Sequence, residues 1–157
     1  MTQFSMLFVC TDNLCRSPTA QFVMRELAVQ HGLADQIHIE SAATHDFNVG
    51  EPVDIRAQKH AIRRDYDLSS FRARLIVPED FARFDLILAM EESNQLILRL
   101  RCPEKYQHKI RYFTEFCSGD VGRDVPDPFF GKSADFEHVL DLVENACEGL
   151  IRHVQQA

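Results

Sequence analysis

Two cysteines, an arginine and a serine lie close together in the stretch FVCTDNLCRSP, residues 8–18. Arg16 follows Cys10 by six residues, and Ser17 comes directly after it. In a loop whose backbone N–H groups converge, the thiolate of the first cysteine would be favoured at neutral pH and would attract an oxyanion. An arginine supplies a planar fork that fits two oxygens of a phosphate. The stretch therefore predicts a loop that holds a phosphate group next to a nucleophilic sulfur.

The surroundings of this stretch strengthen the interpretation, because the spacing C-x5-R alone arises by chance in many chains. An apolar run, 6–10, precedes the loop, and Ser17-Pro18 is a good helix start. A strand that leads through a loop into a helix points several N–H groups and the positive end of the helix dipole at one place. The alternative is a core cysteine at the end of a strand beside an unrelated surface arginine.

Strands and helices alternate along the rest of the chain. The predicted strands are 6–10, 37–43, 84–90 and 110–113, and the predicted helices are 18–31, 54–66, 91–102 and 135–153. This alternation predicts an α/β fold of three layers, with a central four-stranded parallel sheet and helices on both faces. Ligands bind such sheets beyond the carboxyl ends of the strands, where the cysteine loop lies. Without a repeat or linker, residues 1–157 are expected to form a single domain.

The composition is that of an ordinary globular domain, with 45% hydrophobic residues, 26% charged residues and a net charge of −7. The negative charge argues against general nucleic-acid binding, which needs concentrated Lys and Arg. The apolar run near the N-terminus is too short for a signal or membrane segment. The five cysteines form no CxxC and no zinc-like spacing. We therefore expect a cytoplasmic protein with reduced thiols and no membrane association.

The segment FVCTDNLCRSPTA resembles the signature of the low-molecular-weight protein tyrosine phosphatases, which has the form V-C-x-x-N-x-C-R-S-P. Four further segments agree in order and spacing: ESAAT (40–44), VGEPVDIRA (49–57), FDLILAMEESN (84–94) and PDPFFGKSADFEHV (126–139). The resemblance covers nearly the whole chain. It implies hydrolysis of phosphotyrosine through a phosphocysteine intermediate, with a tyrosine-phosphorylated protein as the substrate. We expect no cofactor, and a monomer or a weak dimer.

The resemblance also assigns the chemical roles. Cys10 attacks phosphorus, while Arg16 and the loop N–H groups hold the phosphate oxygens. Asp127, in the sequence PDP, is the general acid and later the base that activates water. By itself PDP is more often a turn, and its position before FFG and the last helix supports the assignment. The positive charge comes from Arg16, the loop amides and the helix end, so no metal is implied.

The rest of the loop is expected to bind phosphate or to support the loop. These residues are Thr11, Asp12, Asn13, Leu14, Cys15 and Ser17, together with Ser41 from the second strand. By resemblance, Ser17 donates its hydroxyl to the thiolate and helps it to leave. Asn13 braces the loop through its side-chain amide, and Ser41 joins this bracing network.

Three phenylalanines occupy the positions of the aromatic walls of the family's cleft: Phe47, Phe129 and Phe130. Such walls sandwich a phenyl ring and make the cleft deep enough to exclude phosphoserine. The alternative is that these side chains simply belong to the core. Many relatives carry Tyr at the last two positions, so regulation by phosphorylation there is not expected.

Asp12 departs from the family pattern, because relatives usually have Gly at this position. Asp is one of the few other residues that tolerate left-handed backbone angles, so the loop is still expected to form. An inward carboxylate would repel phosphate. We therefore expect the carboxylate to face solvent, at some cost in affinity.

Three further departures lower the expected catalytic efficiency but not the expected reaction type. Ser70 and Phe71 stand where relatives often have a histidine, which predicts weaker bracing of Asn13. Glu91 replaces a common Asp, and Gln21 replaces a common Glu.

By the same resemblance, Cys15 is expected to form a reversible disulfide with Cys10 that guards against overoxidation. The alternative is a small packed side chain. Cys102, Cys117 and Cys147 are expected to be structural.

Other functions stay open from sequence. An arsenate reductase of the same fold would need further cysteines on a mobile segment, and Cys102 and Cys117 form no short pair. A protein arginine phosphatase would tend to have threonine at the position of Leu14. A catalytically silent phosphopeptide-binding module is the alternative from a different class, kept because of Asp12.

Overall fold

The computed structural model describes residues 3–156. The strands are β1 (Phe4–Cys10), β2 (Ile37–Ala43), β3 (Leu86–Ala89) and β4 (Ile110–Tyr112). The helices are α1 (Arg16–Gln30), α2 (Ile55–Ile62), α3 (Glu79–Arg83), α4 (Glu92–Arg101) and α5 (Ser133–Gln155), with 3-10 helices at Glu104–Lys109 and Phe113–Phe116. All four strands are parallel, in the order β2-β1-β3-β4. This confirms the predicted α/β class.

β1 lies in the middle of the sheet and is covered on both faces. Met6 and Phe8 pack into the larger core cluster with residues of α1 and α5, whereas Leu7 and Val9 pack into the smaller one with residues of α3 and α4. Successive side chains of a strand point to opposite faces. A strand buried on both faces therefore appears as the unbroken apolar run found in the sequence.

The predicted elements differ from the observed ones mainly at their ends. α1 begins at Arg16 rather than Pro18, so the Ser17-Pro18 pair lies inside the first turn. Proline is tolerated there because the first N–H groups of a helix have no intrahelical partner. Ser17 is not the cap, since its side chain contacts Cys10 instead. The short helix α3 was not predicted, and α2 ends four residues earlier than expected, at Ile62.

α5 packs tightly against the 3-10 helix that follows β4. A Cβ atom at Gly149 would lie 1.8 Å from the carbonyl oxygen of Phe116, so only glycine fits without a shift of the backbone. This contact fixes the helix that follows the segment carrying Asp127. Within residues 3–156, none of the helices has the length and apolar character required to span a membrane.

Candidate active site

The loop of residues 11–15 connects the end of β1 with the start of α1. Cys10 is almost fully buried at the base of a cleft, and its sulfur lies 2.9 Å from the hydroxyl oxygen of Ser17. The cleft encloses about 390 Å³, part of it open to solvent. Its lining consists of Cys10, Thr11, Asp12, Leu14, Cys15, Arg16, Asp54, Asp127, Pro128, Phe129 and Phe136. The chain thus gathers segments that are far apart in sequence around one sulfur.

Asn13 holds the loop through both polar atoms of its buried side-chain amide. Its Nδ2 donates to the hydroxyl oxygens of Ser17 (2.8 Å) and Ser41 (3.0 Å). Its Oδ1 accepts the backbone N–H of Arg74 at 3.0 Å. Asn13 also has a φ of 60°, a left-handed conformation that asparagine tolerates better than most residues. The loop is therefore braced by α1, β2 and the segment around Arg74.

These contacts fix the direction of the Ser17 hydroxyl. Because Asn13 donates to the Ser17 oxygen, the hydroxyl hydrogen is free to point at the Cys10 sulfur. Ser41 in turn donates to Oε1 of Gln21 at 2.5 Å, so the amide that replaces a common glutamate still accepts this hydrogen bond. The network orients a donor toward the sulfur, where it would stabilise a thiolate.

The loop forms as expected, but two of the reasons given from sequence do not apply to it. The bracing of Asn13 is complete without the family's histidine, because a backbone N–H takes the remaining acceptor, while Ser70 is exposed and Phe71 packs edge-on against Phe22. The residue with left-handed backbone angles is Asn13 and not Asp12. Asp12 is half-buried and lines the cleft. The outward direction of its carboxylate stays a prediction.

Arg16 is buried beneath the loop, with 3% of its surface exposed. Its Nη1 donates to Oε2 of Glu91 and to the carbonyl oxygen of Val125, both at 2.9 Å. Burial acts to lower the pKa of the guanidinium, but the Cys10 sulfur and the carboxylates of Glu91 and Asp127 outweigh it and raise the pKa above its ordinary value. Arg16 is therefore a fixed positive charge whose orientation is set by two partners.

Glu91, at the start of α4, supports Arg16, although from sequence it appeared only as a departure from the family pattern. One carboxylate oxygen accepts from Arg16, and the other accepts from the hydroxyl of Ser93 at 2.9 Å. In the same segment, Asn94 donates to the hydroxyl oxygen of Thr11 at 3.2 Å. Glutamate thus still reaches the arginine from this position, despite the additional methylene group.

Asp127 faces Arg16 from the opposite side of the cleft. Its Oδ2 lies 3.7 Å from Nη2 of Arg16, and its Oδ1 accepts the backbone N–H of Phe129 at 3.0 Å. About half of its side chain, 53%, is exposed, whereas the following residue, Pro128, is buried. The carboxylate is therefore aimed into the cleft from a loop that is anchored by its neighbour.

Only one of the three expected aromatic walls lines the cleft. Phe129 does so, but Phe130 is 96% exposed and packs edge-on against Phe129, and Phe47 is 77% exposed and stacks on His45. The second ring in the cleft wall is the buried Phe136 of α5, which sequence periodicity marked only as a core position. The expectation that Phe47 and Phe130 form walls is thus not met by this conformation.

Cys15 lines the cleft beside Cys10. Burial raises the pKa of its thiol well above the ordinary value, and the Cys10 sulfur and the Asp54 carboxylate raise it further. Cys15 is therefore a neutral thiol at neutral pH, and its disulfide with Cys10 stays a prediction. Cys102 and Cys147 are buried, and neither they nor Cys117 line the cleft.

Asp54 completes the cleft from the start of α2. Its backbone N–H donates to the carbonyl oxygen of Leu14 at 2.9 Å, which ties α2 to the loop. Its side chain caps α2 by accepting the backbone N–H of Arg56 at 2.8 Å. Burial acts to raise the pKa of this carboxyl, but the hydrogen bonds from Arg56 outweigh it and hold the pKa below its ordinary value. From sequence, Asp54 appeared only within a segment that matches the family and not as a residue of the site.

The arrangement brings together a sulfur with a hydroxyl donor, a fixed cation and a carboxylate. The loop amides and the start of α1 add partial positive charge around the sulfur. Such a set can bind a tetrahedral oxyanion, attack its central atom and exchange a proton with a departing oxygen.

Comparisons with known proteins agree with this geometry. The family described as low molecular weight phosphotyrosine protein phosphatase matches residues 5–157. A Synechocystis protein named for the low molecular weight protein-tyrosine-phosphatases is 42% identical, covering 93% of both chains. The low molecular weight phosphotyrosine protein phosphatase 2 of Drosophila melanogaster is 35% identical, covering 96% of this chain and 92% of its own. A crystal structure of a protein tyrosine phosphatase from Entamoeba histolytica superposes with a TM-score of 0.94 at 38% identity, covering 98% of each chain.

Proposed function

Because the chain belongs to the low molecular weight phosphotyrosine protein phosphatase family, and is therefore a hydrolase, we propose that Cys10 carries its reaction through a phosphocysteine intermediate. The observation that supports this most strongly is the single cleft shared by Cys10, Arg16 and Asp127. The proposed substrate is a protein that carries phosphotyrosine.

In the first step the Cys10 thiolate attacks phosphorus, forming an S–P bond as the P–O bond to tyrosine breaks. Arg16 and the loop N–H groups hold the phosphoryl oxygens, where negative charge collects. The departing tyrosine oxygen takes a proton from the carboxylic acid of Asp127. The products are tyrosine, phosphocysteine and the Asp127 carboxylate.

In the second step water attacks phosphorus while the Asp127 carboxylate takes one of its protons. The S–P bond breaks, inorganic phosphate leaves, and the thiolate is restored next to the Ser17 hydroxyl. Asp127 is protonated again, so one cycle consumes one water molecule and regenerates both groups.

The apolar residues that line the cleft and the burial of Cys10 support an aromatic phosphoester. Cys10 lies at the base, Phe129 and Phe136 supply apolar walls, and Leu14 lies among the lining residues. A phenyl ring would fit between these walls and place its phosphate next to the Cys10 sulfur. The side chain of phosphoserine would be too short to bring its phosphate to the same position. Leu14 lacks the hydroxyl that a protein arginine phosphatase tends to have at this position. The arsenate reductase alternative lacks support, since Cys102, Cys117 and Cys147 do not line the cleft.

The test is phosphate release from peptides that carry phosphotyrosine, phosphoserine or phosphoarginine. We expect turnover of phosphotyrosine, loss of turnover in Cys10→Ser, and normal turnover in the matched control Cys117→Ser. Mass spectrometry of rapidly quenched Asp127→Asn should find the phosphoryl group on the Cys10 peptide. Turnover that survives in Cys10→Ser, or preference for phosphoarginine, would overturn the proposal. Binding without turnover would identify a silent module instead.

A further inference from the structure

Arg56, in the first turn of α2, makes contacts that the mechanism above does not use. Its Nη2 donates to Oδ2 of Asp54 at 2.9 Å, and its Nε donates to Oδ1 at 3.2 Å. With the backbone N–H, three donors of one residue thus converge on the carboxylate of Asp54. A planar guanidinium held at two points cannot rotate freely. The orientation of the Arg56 side chain is therefore fixed by Asp54, which itself lines the cleft.

The held guanidinium faces two aromatic rings of the cleft wall. Its central carbon lies 5.4 Å from the ring centre of Phe129 and 4.9 Å from that of Phe136. A guanidinium within about 6 Å of an aromatic centroid is attracted to the ring face. Arg56 thus bridges the loop that carries Phe129 and the helix that carries Phe136.

Phe129 is directly connected to the proposed acid. Its backbone N–H donates to Oδ1 of Asp127, so a shift of Phe129 moves the carboxylate. Residues 125–131, called the acid loop below, are anchored at one end by Val125, which donates to the carbonyl of Met90 and accepts from Arg16. On the Phe129 side, Pro128 is buried and the Arg56 guanidinium lies over the ring of Phe129.

A continuous series of contacts therefore links the nucleophile loop to the acid. The carbonyl of Leu14 accepts from Asp54, Asp54 accepts from Arg56, and Arg56 covers Phe129. Phe129 then donates to Asp127. We infer that Arg56 is a positioning residue that holds the acid loop at the distance from Cys10 required for proton transfer to the leaving group.

This inference rests on the proposed acid role of Asp127 and predicts a specific kinetic pattern. A phenol with a high pKa needs a proton as it leaves, whereas dinitrophenol leaves as an anion and needs none. kcat/KM reports the steps up to phosphoryl transfer. Arg56→Ala should therefore lower kcat/KM for phenyl phosphate by about 10- to 100-fold. For dinitrophenyl phosphate, which does not need the acid, the change should stay within about twofold.

Activity on dinitrophenyl phosphate also measures how much of the variant is folded, so poor folding cannot imitate the result. Arg56→Lys keeps a cation but loses the fork that pairs at two points with Asp54, so it should restore only part of the activity on phenyl phosphate. Arg111→Ala is the matched control, because Arg111 also pairs with an acid, Glu115, and covers a ring, Phe116, outside the cleft. It should leave both substrates unaffected.

A double-mutant cycle separates positioning from general packing. In the Asp127→Asn background, Arg56→Ala should cause no further loss on phenyl phosphate, because the group that it positions is gone. Equal losses on both substrates, or additive losses in the double mutant, would overturn the inference and leave the proposed function intact. Failure of the wild-type protein to hydrolyse either ester would instead contradict the proposed function.

Discussion

Asp127 and Arg16 face each other across the cleft, with 3.7 Å between Oδ2 and Nη2. A phosphate held by Arg16 would meet the Asp127 carboxylate at close range, and the two negative charges would repel each other. The proposed acid Asp127 is thus expected to have two effects: it supplies a proton to the leaving group, and its negative charge disfavours retention of the phosphate product.

Asp127→Asn should separate these two effects. Loss of the proton donor should lower kcat/KM for phenyl phosphate by about 100- to 10,000-fold. Loss of the negative charge should tighten inhibition by inorganic phosphate by about three- to tenfold. Steady-state kinetics with phosphate as a competitive inhibitor measure both. Weaker inhibition by phosphate in this variant would contradict the argument from charge.

Ser17→Ala should slow the attack of Cys10, because the hydroxyl that points at the sulfur is removed. Hydrogen bonds to charged groups contribute about 1.5–3 kcal/mol, which corresponds to a loss of about 10- to 100-fold in kcat/KM. The rate at which iodoacetamide alkylates the Cys10 peptide, followed by mass spectrometry, should fall as well. Ser118→Ala, an exposed serine outside the cleft, is the control. An unchanged alkylation rate in Ser17→Ala would refute the proposal that the Ser17 hydroxyl stabilises the Cys10 thiolate.

Asp12→Asn and Asp12→Gly should have the same effect. Because Asp12 does not have left-handed backbone angles, glycine relieves no strain there, and both variants are expected to act mainly by removing a negative charge close to the bound phosphate. Inhibition by inorganic phosphate should become tighter by about three- to tenfold in each. A much larger gain with glycine than with asparagine would indicate that the loop is strained by the aspartate.

Asp54→Asn should lower the free energy of unfolding at neutral pH. It should also make this free energy depend less on pH in the acid range. The pKa of Asp54 is held below its ordinary value of 3.8, so the charge stabilises the fold fully above that value. The contribution is lost as the pH falls through the lower, folded-state pKa. Asparagine caps helices about as well as aspartate, so the substitution keeps the cap while it removes the charge and its two-point pairing with the Arg56 guanidinium.

Urea midpoints measured from neutral pH down to about pH 3 would test this. The difference between wild type and Asp54→Asn should shrink as the pH falls. Asp35→Asn, at an exposed acid in the turn before β2, should show no comparable difference. A difference between wild type and Asp54→Asn that is constant over the whole range would contradict the assignment.

Gly149→Ala should destabilise the protein, although alanine normally favours a helix by about 0.5–1 kcal/mol over glycine. The added Cβ would lie 1.8 Å from the Phe116 carbonyl oxygen, which forces α5 or the 3-10 helix to move. The free energy of unfolding in urea should fall by about 1–3 kcal/mol. Glu148→Ala, on the exposed face of the same helix, should change it by less than about 0.5 kcal/mol. A stabilised Gly149→Ala would disprove the close contact.

The parts of the site that were predicted best are those formed by residues close together in the sequence. Cys10, Arg16 and Ser17 lie within one strand, loop and helix, so their spacing and the surrounding apolar pattern carry the information. The parallel sheet could be predicted as well, because a doubly buried strand such as β1 has an unmistakable apolar run. The ends of helices were harder to predict. Helical spacing does not reveal that the Ser17 side chain binds Cys10 instead of capping α1.

The parts that depend on tertiary contacts were missed. Arg74 braces Asn13 through a backbone N–H, which any residue but proline could supply, so its side chain carries no signal. Phe136 appeared only as one member of an apolar helix stripe, since periodicity cannot distinguish a core ring from one that also borders a cleft. Asp54 and Arg56 were included in a matching segment, but their pairing and their contact with Phe129 become visible only in three dimensions.

The bracing of Asn13 has a consequence for attempts to transplant this chemistry. A peptide or graft that carried only β1, the loop and α1 would contain Cys10, Arg16 and Ser17, yet it would lack Ser41 and the amide of Arg74. The asparagine would then lose two of its three partners, and nothing would hold its backbone in the left-handed conformation. The signature segment therefore marks the site but cannot form it alone. The contacts that hold the loop around the sulfur come from the rest of the folded domain.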